Sequence, residues 1–239
     1  MTQPRAVKAL LFDVFGTVVD WRSSVAVELQ SALAPRGHQL DWEAMADDWR
    51  GRYQPAMQAI RSGARGYTIL DVLHRENLDA TLRAFGVTGL SEAELIELNE
   101  AWHRLRPWPD CVPGLGRLKR DFILGTLSNG NIALMVNLAR FGSLPWDVIL
   151  GAEITRSYKP SEATYLGSAA ALGLAPGDCM MVAAHNEDLR AAQRLGMATA
   201  FVCRPTEHGP GQEVDLAPDG DWDYAAHSMQ ELADLLARA

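Results

Sequence analysis

The sequence predicts an α/β fold, a doubly wound parallel sheet of Rossmann-like topology with an inserted block of helices. Two observations predict it. Five short apolar runs, each followed by a polar or glycine-containing segment, alternate with stretches of helical periodicity. One long region between the first and second runs shows helical periodicity alone. The alternation indicates the sheet, and the helical region indicates a cap inserted after the first strand.

The apolar runs are typical of strands that are buried on both faces of a parallel sheet, because they do not alternate with polar residues. In chain order they are VKALLFDVF (7–15), FILGTLSNG (122–130), VILGAE (148–153), CMMVAAHN (179–186) and ATAFVCR (198–204). The helical stretches of the core are NIALMVNLARFG (131–142), EATYLGSAAALGL (162–174) and EDLRAAQRLGM (187–197). A polar loop is predicted over 204–223, and a last helix over 228–239.

The region from Trp21 to Arg106 is predicted to form the all-helical cap. The stretches DWEAMADDWRGRYQPAMQAI (41–60) and SEAELIELNEAWHRL (91–105) are amphipathic. The second opens with a capping box made by Ser91 and Glu94. Prolines and a glycine in PWPDCVPG (107–114) mark the return to the core. The predicted domains are therefore a core of residues 1–20 and 107–239 and a cap of residues 21–106.

Composition excludes several classes of partner. The net charge of −8 is scattered along the chain without a basic run, so neither nucleic acid nor an anionic membrane is an expected partner. The three cysteines are far apart and lack metal-ligand spacing, which favours buried thiols. No apolar stretch is long enough to cross a membrane, and the N-terminal run is too short for a signal peptide. A cytoplasmic location is the expectation.

Polar residues that could carry chemistry follow the predicted strands, and such residues meet at one edge of a parallel sheet. They are Asp13 and Thr17, Ser128 and Asn129, His185, Asn186 and Asp188, with Lys159 in the loop after VILGAE. Each alone is typical of a helix cap or a turn. Together they supply a nucleophile, a cation, hydroxyl and amide donors, and a pair able to activate water.

The segments DVFGT (13–17), LSNGN (127–131), SYKP (157–160) and HNEDLRAA (185–192) resemble, in order and spacing, the four motifs of the haloacid dehalogenase superfamily. The helical insert lies where that family has its cap. Most members are phosphatases with a second Asp two residues after the nucleophile, and this chain has Phe15 there. That departure resembles the branch of 2-haloacid dehalogenases, which implies a small haloacid substrate, no cofactor or metal, and a homodimer.

The resemblance implies that Asp13 displaces halide from the carbon beside the substrate carboxylate and forms an ester. Lys159 would keep Asp13 ionised, and Thr17 and Ser128 would orient the nucleophile and the substrate. Water would then release a 2-hydroxy acid, with Asp188 and His185 as candidates to activate it.

The resemblance also implies how the halide is bound. Arg50, placed on the first cap helix, and the amide of Asn129 would hold the departing ion, and Phe15 and Asn186 would contact the substrate. Arg52 is expected to point elsewhere, because residues two apart do not share a helix face. Tyr165 matches a family tyrosine near the site, although a core aromatic residue explains it equally well.

Phe15 also decides between chemistries on physical grounds. A phosphoryl group approaching a carboxylate usually needs Mg²⁺ and an acid for the leaving group, and Phe15 can serve neither purpose. A halide leaves as a stable anion, and an apolar neighbour leaves the carboxylate less solvated and more reactive.

The sequence also allows alternative functions. A phosphatase or another small-molecule hydrolase on the same scaffold is the first alternative, including one that opens an activated ring or ester by the same covalent route. A non-catalytic binding module is disfavoured because it has no need of the full polar set. A nicotinamide-dependent enzyme is disfavoured because no GxGxxG follows the first strand.

Overall fold

A parallel sheet forms the centre of the protein in the computed structural model, which describes residues 7–238. The strands are β1 (Ala9–Phe12), β2 (Val19–Asp20), β3 (Arg106–Pro107), β4 (Ile123–Thr126), β5 (Cys179–Ala183), β6 (Ala198–Val202) and β7 (Tyr224–Ala226). The sheet has the order β4-β1-β5-β6-β7, and all of its pairings are parallel. Because β1 lies between β4 and β5, the polar segments that follow these three strands are neighbours in space.

Both faces of the sheet are buried, as the apolar runs predict. In β1, Leu10 and Phe12 belong to one hydrophobic cluster, while Ala9 and Leu11 belong to the other. All four side chains are fully buried. Alternate residues of a strand point to opposite faces, so a strand covered on both sides needs an apolar residue at every position.

Helices cover the sheet and form the insert. The α-helices are α1 (Trp21–Leu33), α2 (Trp42–Gly51), α3 (Tyr53–Arg61), α4 (Leu70–Ala84), α5 (Glu92–Asn99), α6 (Cys111–Leu118), α7 (Ile132–Gly142), α8 (Ala152–Thr155), α9 (Glu162–Ala171), α10 (Asn186–Arg194) and α11 (Met229–Leu236). Short 3₁₀ helices span Ala34–Arg36, Glu100–His103 and Pro176–Asp178. The predicted capping box of Ser91 and Glu94 is confirmed at the start of α5.

Helices α1 to α5 make up the insert, and a small ribbon closes its base. Val19 pairs with Pro107 and Asp20 with Arg106, so the antiparallel strands β2 and β3 join the outgoing and returning chain. The ribbon supports the predicted division into a core and a cap, although the domain boundaries themselves remain a prediction. Within residues 7–238, no helix combines the length and the apolar character that a membrane span needs.

The prediction of a strand over 148–153 is wrong. This segment makes only two isolated bridges, Gly125 with Val148 and Ser128 with Gly151, and its last residues belong to α8. The hydroxyl of Thr126 accepts a hydrogen bond from the Leu150 amide and donates one to the Leu150 carbonyl. The Thr126 side chain therefore bonds the N–H and C=O of Leu150, which would otherwise pair with the backbone of a neighbouring strand.

Two other details differ from the sequence prediction. Strand β7 was not predicted, because its three residues are too few to show a period and follow a long polar loop. The amphipathic stretch 41–60 is divided into α2 and α3 at Arg52 rather than forming one helix.

Candidate active site

The first motif forms a tight loop at the carboxyl end of β1. The Asp13 amide donates to the Val182 carbonyl of β5 at 3.0 Å, which fixes the backbone of this residue to the sheet. Gly16 has a φ of +87°, a conformation that glycine adopts without strain, and it turns the chain back. The Thr17 hydroxyl consequently reaches Asp13 at 2.7 Å and accepts the Ala184 amide at 2.9 Å.

Lys159 lies between two carboxylates. Its ammonium donates to Oδ1 of Asp13 at 2.8 Å and also to Oδ2 of Asp188. The Tyr165 hydroxyl donates to the other oxygen of Asp188 at 2.5 Å, and the Asn129 side chain accepts the Lys159 amide at 2.8 Å. The structure therefore brings the strand-end residues together around one buried ammonium group.

These contacts set the charges of the site. Burial alone would raise the pKa of the Asp13 carboxyl, but the charge of Lys159 and contacts with His185 hold it well below its usual range. Burial lowers the pKa of Lys159, and the two carboxylates more than reverse this shift. Burial raises the pKa of Asp188; Lys159 opposes the shift and the charge of Asp13 adds to it. Asp13 is thus an ionised carboxylate beside a protonated ammonium group.

Behind the nucleophile, His185 connects Asp13 to a residue that the sequence reasoning missed. Nδ1 of His185 lies 3.2 Å from Oδ2 of Asp13, and Nε2 lies 2.9 Å from Oε2 of Glu207. Glu207 is only 1% exposed and also accepts the Trp21 indole N–H at 3.0 Å. It lies in the predicted polar loop, where no local pattern distinguishes a buried glutamate from its solvated neighbours.

The cap supplies the opposite side of the cleft. The Arg50 guanidinium carbon lies 4.0 Å from the Tyr53 ring centre and 5.9 Å from that of Phe15. Its Nη1 atom is buried and has no hydrogen-bond partner among the described residues. Arg52 instead forms an ion pair with Asp48, 2.9 Å between Nε and Oδ2, and points away from the cleft. The two arginines therefore face in the directions that helical spacing predicts.

Phe15 forms an apolar wall beside Asp13. Its ring packs edge-on against Trp102, with 5.9 Å between ring centres, and the side chain is 3% exposed. His74 stacks on the far side of this cluster, 4.3 Å from Trp102. Burial, with a contribution from Arg50 and against the effect of Asp71, lowers the pKa of His74 to about 3, so the ring is neutral. On the side of Phe15 that faces Trp102 and His74, the packing is therefore uncharged.

Two predicted site residues do not line the cleft as expected. The Ser128 hydroxyl is fully buried and accepts the Gly130 amide at 3.0 Å, so it shapes the second motif from inside. The prediction of Asn186 as a substrate contact is not supported. Its amide group donates to Asp215 at 2.8 Å and accepts the Trp222 indole N–H at 2.8 Å. Asn186 begins α10, which directs this side chain toward the late loop rather than the nucleophile.

The same geometry tests the fit of a divalent metal, which phosphatases of this architecture use. Asp13 and Asp188 could share an ion, but the Lys159 ammonium occupies the position between them. Phe15 offers no oxygen ligand. Within residues 7–238 there is no group of three or more His, Cys, Asp or Glu side chains arranged to hold a metal ion. The residues present do not fit a metal.

The cleft between the two sides is small, with a volume of about 140 Å³. Its lining combines the charged core residues with cap aromatics: Asp13, Phe15, Arg50, Tyr53, Gln54, Asn129, Lys159, Pro160, Tyr165, His185, Glu187 and Asp188. Ligand sites for larger molecules usually measure roughly 300 Å³ or more. The small volume suits a short molecule, and the cations Arg50 and Lys159 in the lining favour an anionic one.

Comparisons with known proteins agree with this geometry. A family model described as haloacid dehalogenase-like hydrolase matches residues 7–196. A solved structure of a defluorinating L-2-haloacid dehalogenase is 51% identical with a TM-score of 0.96, covering 100% of this chain and 99% of its own. Another L-2-haloacid dehalogenase structure is 47% identical with a TM-score of 0.94, covering 98% of this chain and 100% of its own. The (S)-2-haloacid dehalogenase of Xanthobacter autotrophicus is 28% identical over 87% of this chain and 79% of its own length.

Proposed function

The chain belongs to the haloacid dehalogenase-like hydrolases, and we propose that within this family it is a 2-haloacid dehalogenase that acts on short L-2-haloalkanoic acids. The observation that carries the proposal is the position of Lys159 between Asp13 and Asp188, with Phe15 two residues after the nucleophile. An ionised carboxylate held by an ammonium, without a metal or an acid for the leaving group, is suited to displacing a stable anion.

In the first half of the reaction, Asp13 attacks the carbon that bears the halogen. The Thr17 hydroxyl and the Lys159 ammonium each bond one oxygen of Asp13, so the carboxylate is held in a fixed orientation. The carbon–halogen bond breaks as the ester bond forms, with inversion at carbon. The halide is received by the Asn129 amide and by Arg50, whose Nη1 has no hydrogen-bond partner within residues 7–238.

In the second half, water attacks the carbonyl carbon of the Asp13 ester and a 2-hydroxy acid leaves. Lys159 remains beside that carbonyl and stabilises the negative charge that develops on its oxygen. His185 and Asp188 are the titratable groups on either side of the ester. The overall reaction converts haloacid and water to hydroxy acid, halide and a proton.

The cleft limits the substrate. About 140 Å³ admits an acid of two to four carbons far more readily than a long-chain acid. The name of the 51% identical relative says that it is defluorinating, and we include fluoroacetate among the substrates of this chain. A cytoplasmic location and a homodimer are also part of the proposal.

The test is halide release from chloroacetate, fluoroacetate and each enantiomer of 2-chloropropanoate, with EDTA present. We expect release by the wild type, preference for the L enantiomer, and none by Asp13→Asn, because an amide cannot displace halide. Phosphate esters with Mg²⁺ form the comparison arm. Phosphate release there, with no halide from any haloacid, would replace this proposal with the phosphatase alternative.

A further inference from the structure

We propose that Glu207 is a positioning residue that holds His185 in place as the general base for hydrolysis of the Asp13 ester. The inference rests on the proposed function and assigns its second half to a particular pair of side chains. The inference starts from two consecutive contacts: Asp13 contacts the imidazole of His185, and the imidazole contacts the buried carboxylate of Glu207.

The protein builds a specific place for Glu207. Both of its carboxylate oxygens lie within reach of His185 Nε2, at 3.1 and 2.9 Å, and the Trp21 indole N–H holds one of them. A Cβ atom on Gly16 would come within 2.0 Å of this carboxylate. The glycine after Phe15 therefore serves two purposes, the turn itself and the close approach of Glu207.

Arg204 anchors the loop that carries Glu207 to the core. Arg204 makes two hydrogen bonds of 2.9 Å to the carboxylate of Asp110 and a third of 2.9 Å to the Thr17 carbonyl. Thr17 in turn bonds Asp13. The loop is thus tied to the same segment that carries the nucleophile, which sets the distance between Glu207 and Asp13.

Asp188 is less suited to the role of base. One of its oxygens accepts the Lys159 ammonium and the other accepts the Tyr165 hydroxyl. Both contacts stabilise the ionised form of Asp188 and therefore oppose its protonation by water. For His185 the Glu207 contact stays on Nε2, while the contact of Nδ1 with Asp13 weakens once ester formation removes the charge of that carboxylate.

The charge on Asp13 also controls when His185 can act. The groups that face the imidazole are Asp13 and Glu207, and beyond them Lys159 bonds Asp13 and His208 lies 3.6 Å from Glu207. Burial would lower the pKa of His185, but the two carboxylates raise it well above its ordinary value. Ester formation neutralises Asp13, so the pKa of His185 falls and Nδ1 can lose its proton to solvent. His185 becomes a base only after the first half of the reaction.

Hydrolysis of the ester then proceeds in two proton transfers. Water forms a bond to the carbonyl carbon of the ester and gives one proton to Nδ1 of His185, while Glu207 retains the hydrogen bond from Nε2. The bond between that carbon and the alkoxy oxygen breaks, and the alkoxy oxygen takes the proton from Nδ1 to become the hydroxyl of the product. The new Asp13 carboxyl ionises, and its proton leaves to solvent.

Glu207→Gln is the decisive variant. The glutamine carbonyl can still accept the Trp21 N–H, while its NH₂ group donates to Nε2 and so places the ring proton on Nδ1, the wrong position for a base. With L-2-chloropropanoate we expect a normal burst of one halide per site, then ester hydrolysis slower by about 10²- to 10⁴-fold. The Asp13 ester should accumulate and be visible by mass spectrometry of the intact protein.

Two further measurements separate positioning from a merely structural role. Glu213→Gln changes an exposed glutamate of the same loop and should hydrolyse the ester at the wild-type rate. In wild-type single turnovers, hydrolysis should rise with pH through one ionisation while the halide burst stays constant over the same range. This wild-type profile does not depend on how well Glu207→Gln folds.

These experiments distinguish failure of the dehalogenase assignment from failure of the role proposed for Glu207. Absence of halide release from the wild type would remove the proposed function itself. Normal ester hydrolysis by Glu207→Gln, or a wild-type hydrolysis rate that is independent of pH, would overturn the role of Glu207 and leave the dehalogenase assignment in place.

Discussion

The two sides of the cleft differ in whether their buried charged side chains have partners of opposite charge. On the core side, Asp13, Lys159 and Glu207 are all buried, and each contacts a partner of opposite charge. On the cap side, Arg50 lies over Tyr53 and near Phe15, and its Nη1 has no hydrogen-bond partner among the residues described. These three core-side groups have partners of opposite charge, whereas no carboxylate in the described part of the chain forms an ion pair with Arg50.

This difference matches the two tasks of a displacement reaction. The nucleophile must be ionised before the substrate arrives, which requires cations already in contact with it. The leaving anion forms only during the reaction, so its binding site must be preorganised and left without a protein partner. An unpartnered buried N–H destabilises the free protein, and such a cost is expected where a ligand completes the contact.

Removing the core cation should have the largest effect. Lys159→Gln leaves Asp13 and Asp188 facing each other in a buried site, so we expect a loss of about 3 to 5 kcal/mol in the free energy of unfolding. Without Lys159 the pKa of Asp13 rises, and halide release should fall as the pH is lowered through that new pKa. Urea denaturation and the pH dependence of the halide burst measure the two effects. A burst with the wild-type pH dependence would show that Lys159 does not control the ionisation of Asp13.

Removing the cap cation should affect one step. Arg50→Gln is expected to slow halide release by about 10²-fold, because a donor to the leaving anion is lost. The Asp13 ester, once formed, should hydrolyse at the wild-type rate. Rapid-quench measurements of the two steps separate these rates.

Arg52→Gln is the matched control for that variant. It changes a neighbouring arginine whose partner is Asp48 at the surface of the cap, so stability should change by less than about 1 kcal/mol and neither step should slow. Equal losses in both arginine variants would mean that Arg50 acts through the stability of the cap rather than through the halide.

The smallest effect on catalysis is expected for Asn186→Ala. This side chain anchors the late loop through Asp215 and Trp222, and its loss should cost about 1 to 3 kcal/mol of unfolding free energy. The rate constants of both steps, measured below the unfolding transition, should stay close to those of the wild type. A change in substrate affinity without loss of stability would restore the sequence prediction that Asn186 contacts the substrate.

Several features of the fold follow from the sequence because they depend on local chemistry. A strand between two helical layers must be apolar at every position, and the β1 segment shows this directly. The capping box at Ser91 uses atoms only three residues apart. The motif residues Asp13, Ser128 and His185 can be placed at one sheet edge because they follow parallel strands whose carboxyl ends lie together. These predictions needed no knowledge of distant contacts.

Other features were decided by tertiary structure. The segment 148–153 is apolar enough for a strand, yet the Thr126 hydroxyl occupies the backbone groups of Leu150. The side chain of Asn186 has a sequence position beside His185, but the packing of the late loop draws it to Asp215.

Glu207 is the clearest example of a residue whose position is decided by tertiary structure. It lies 194 residues from Asp13 along the chain, in a loop of ordinary polar composition. The sequence by itself determined the positions of Asp13, Lys159 and Phe15 as candidate site residues, because motif spacing and strand periodicity encode them locally. Only the folded chain decided which carboxylate stands behind His185, because that contact depends on the glycine turn at Gly16 and the anchoring of a distant loop by Arg204.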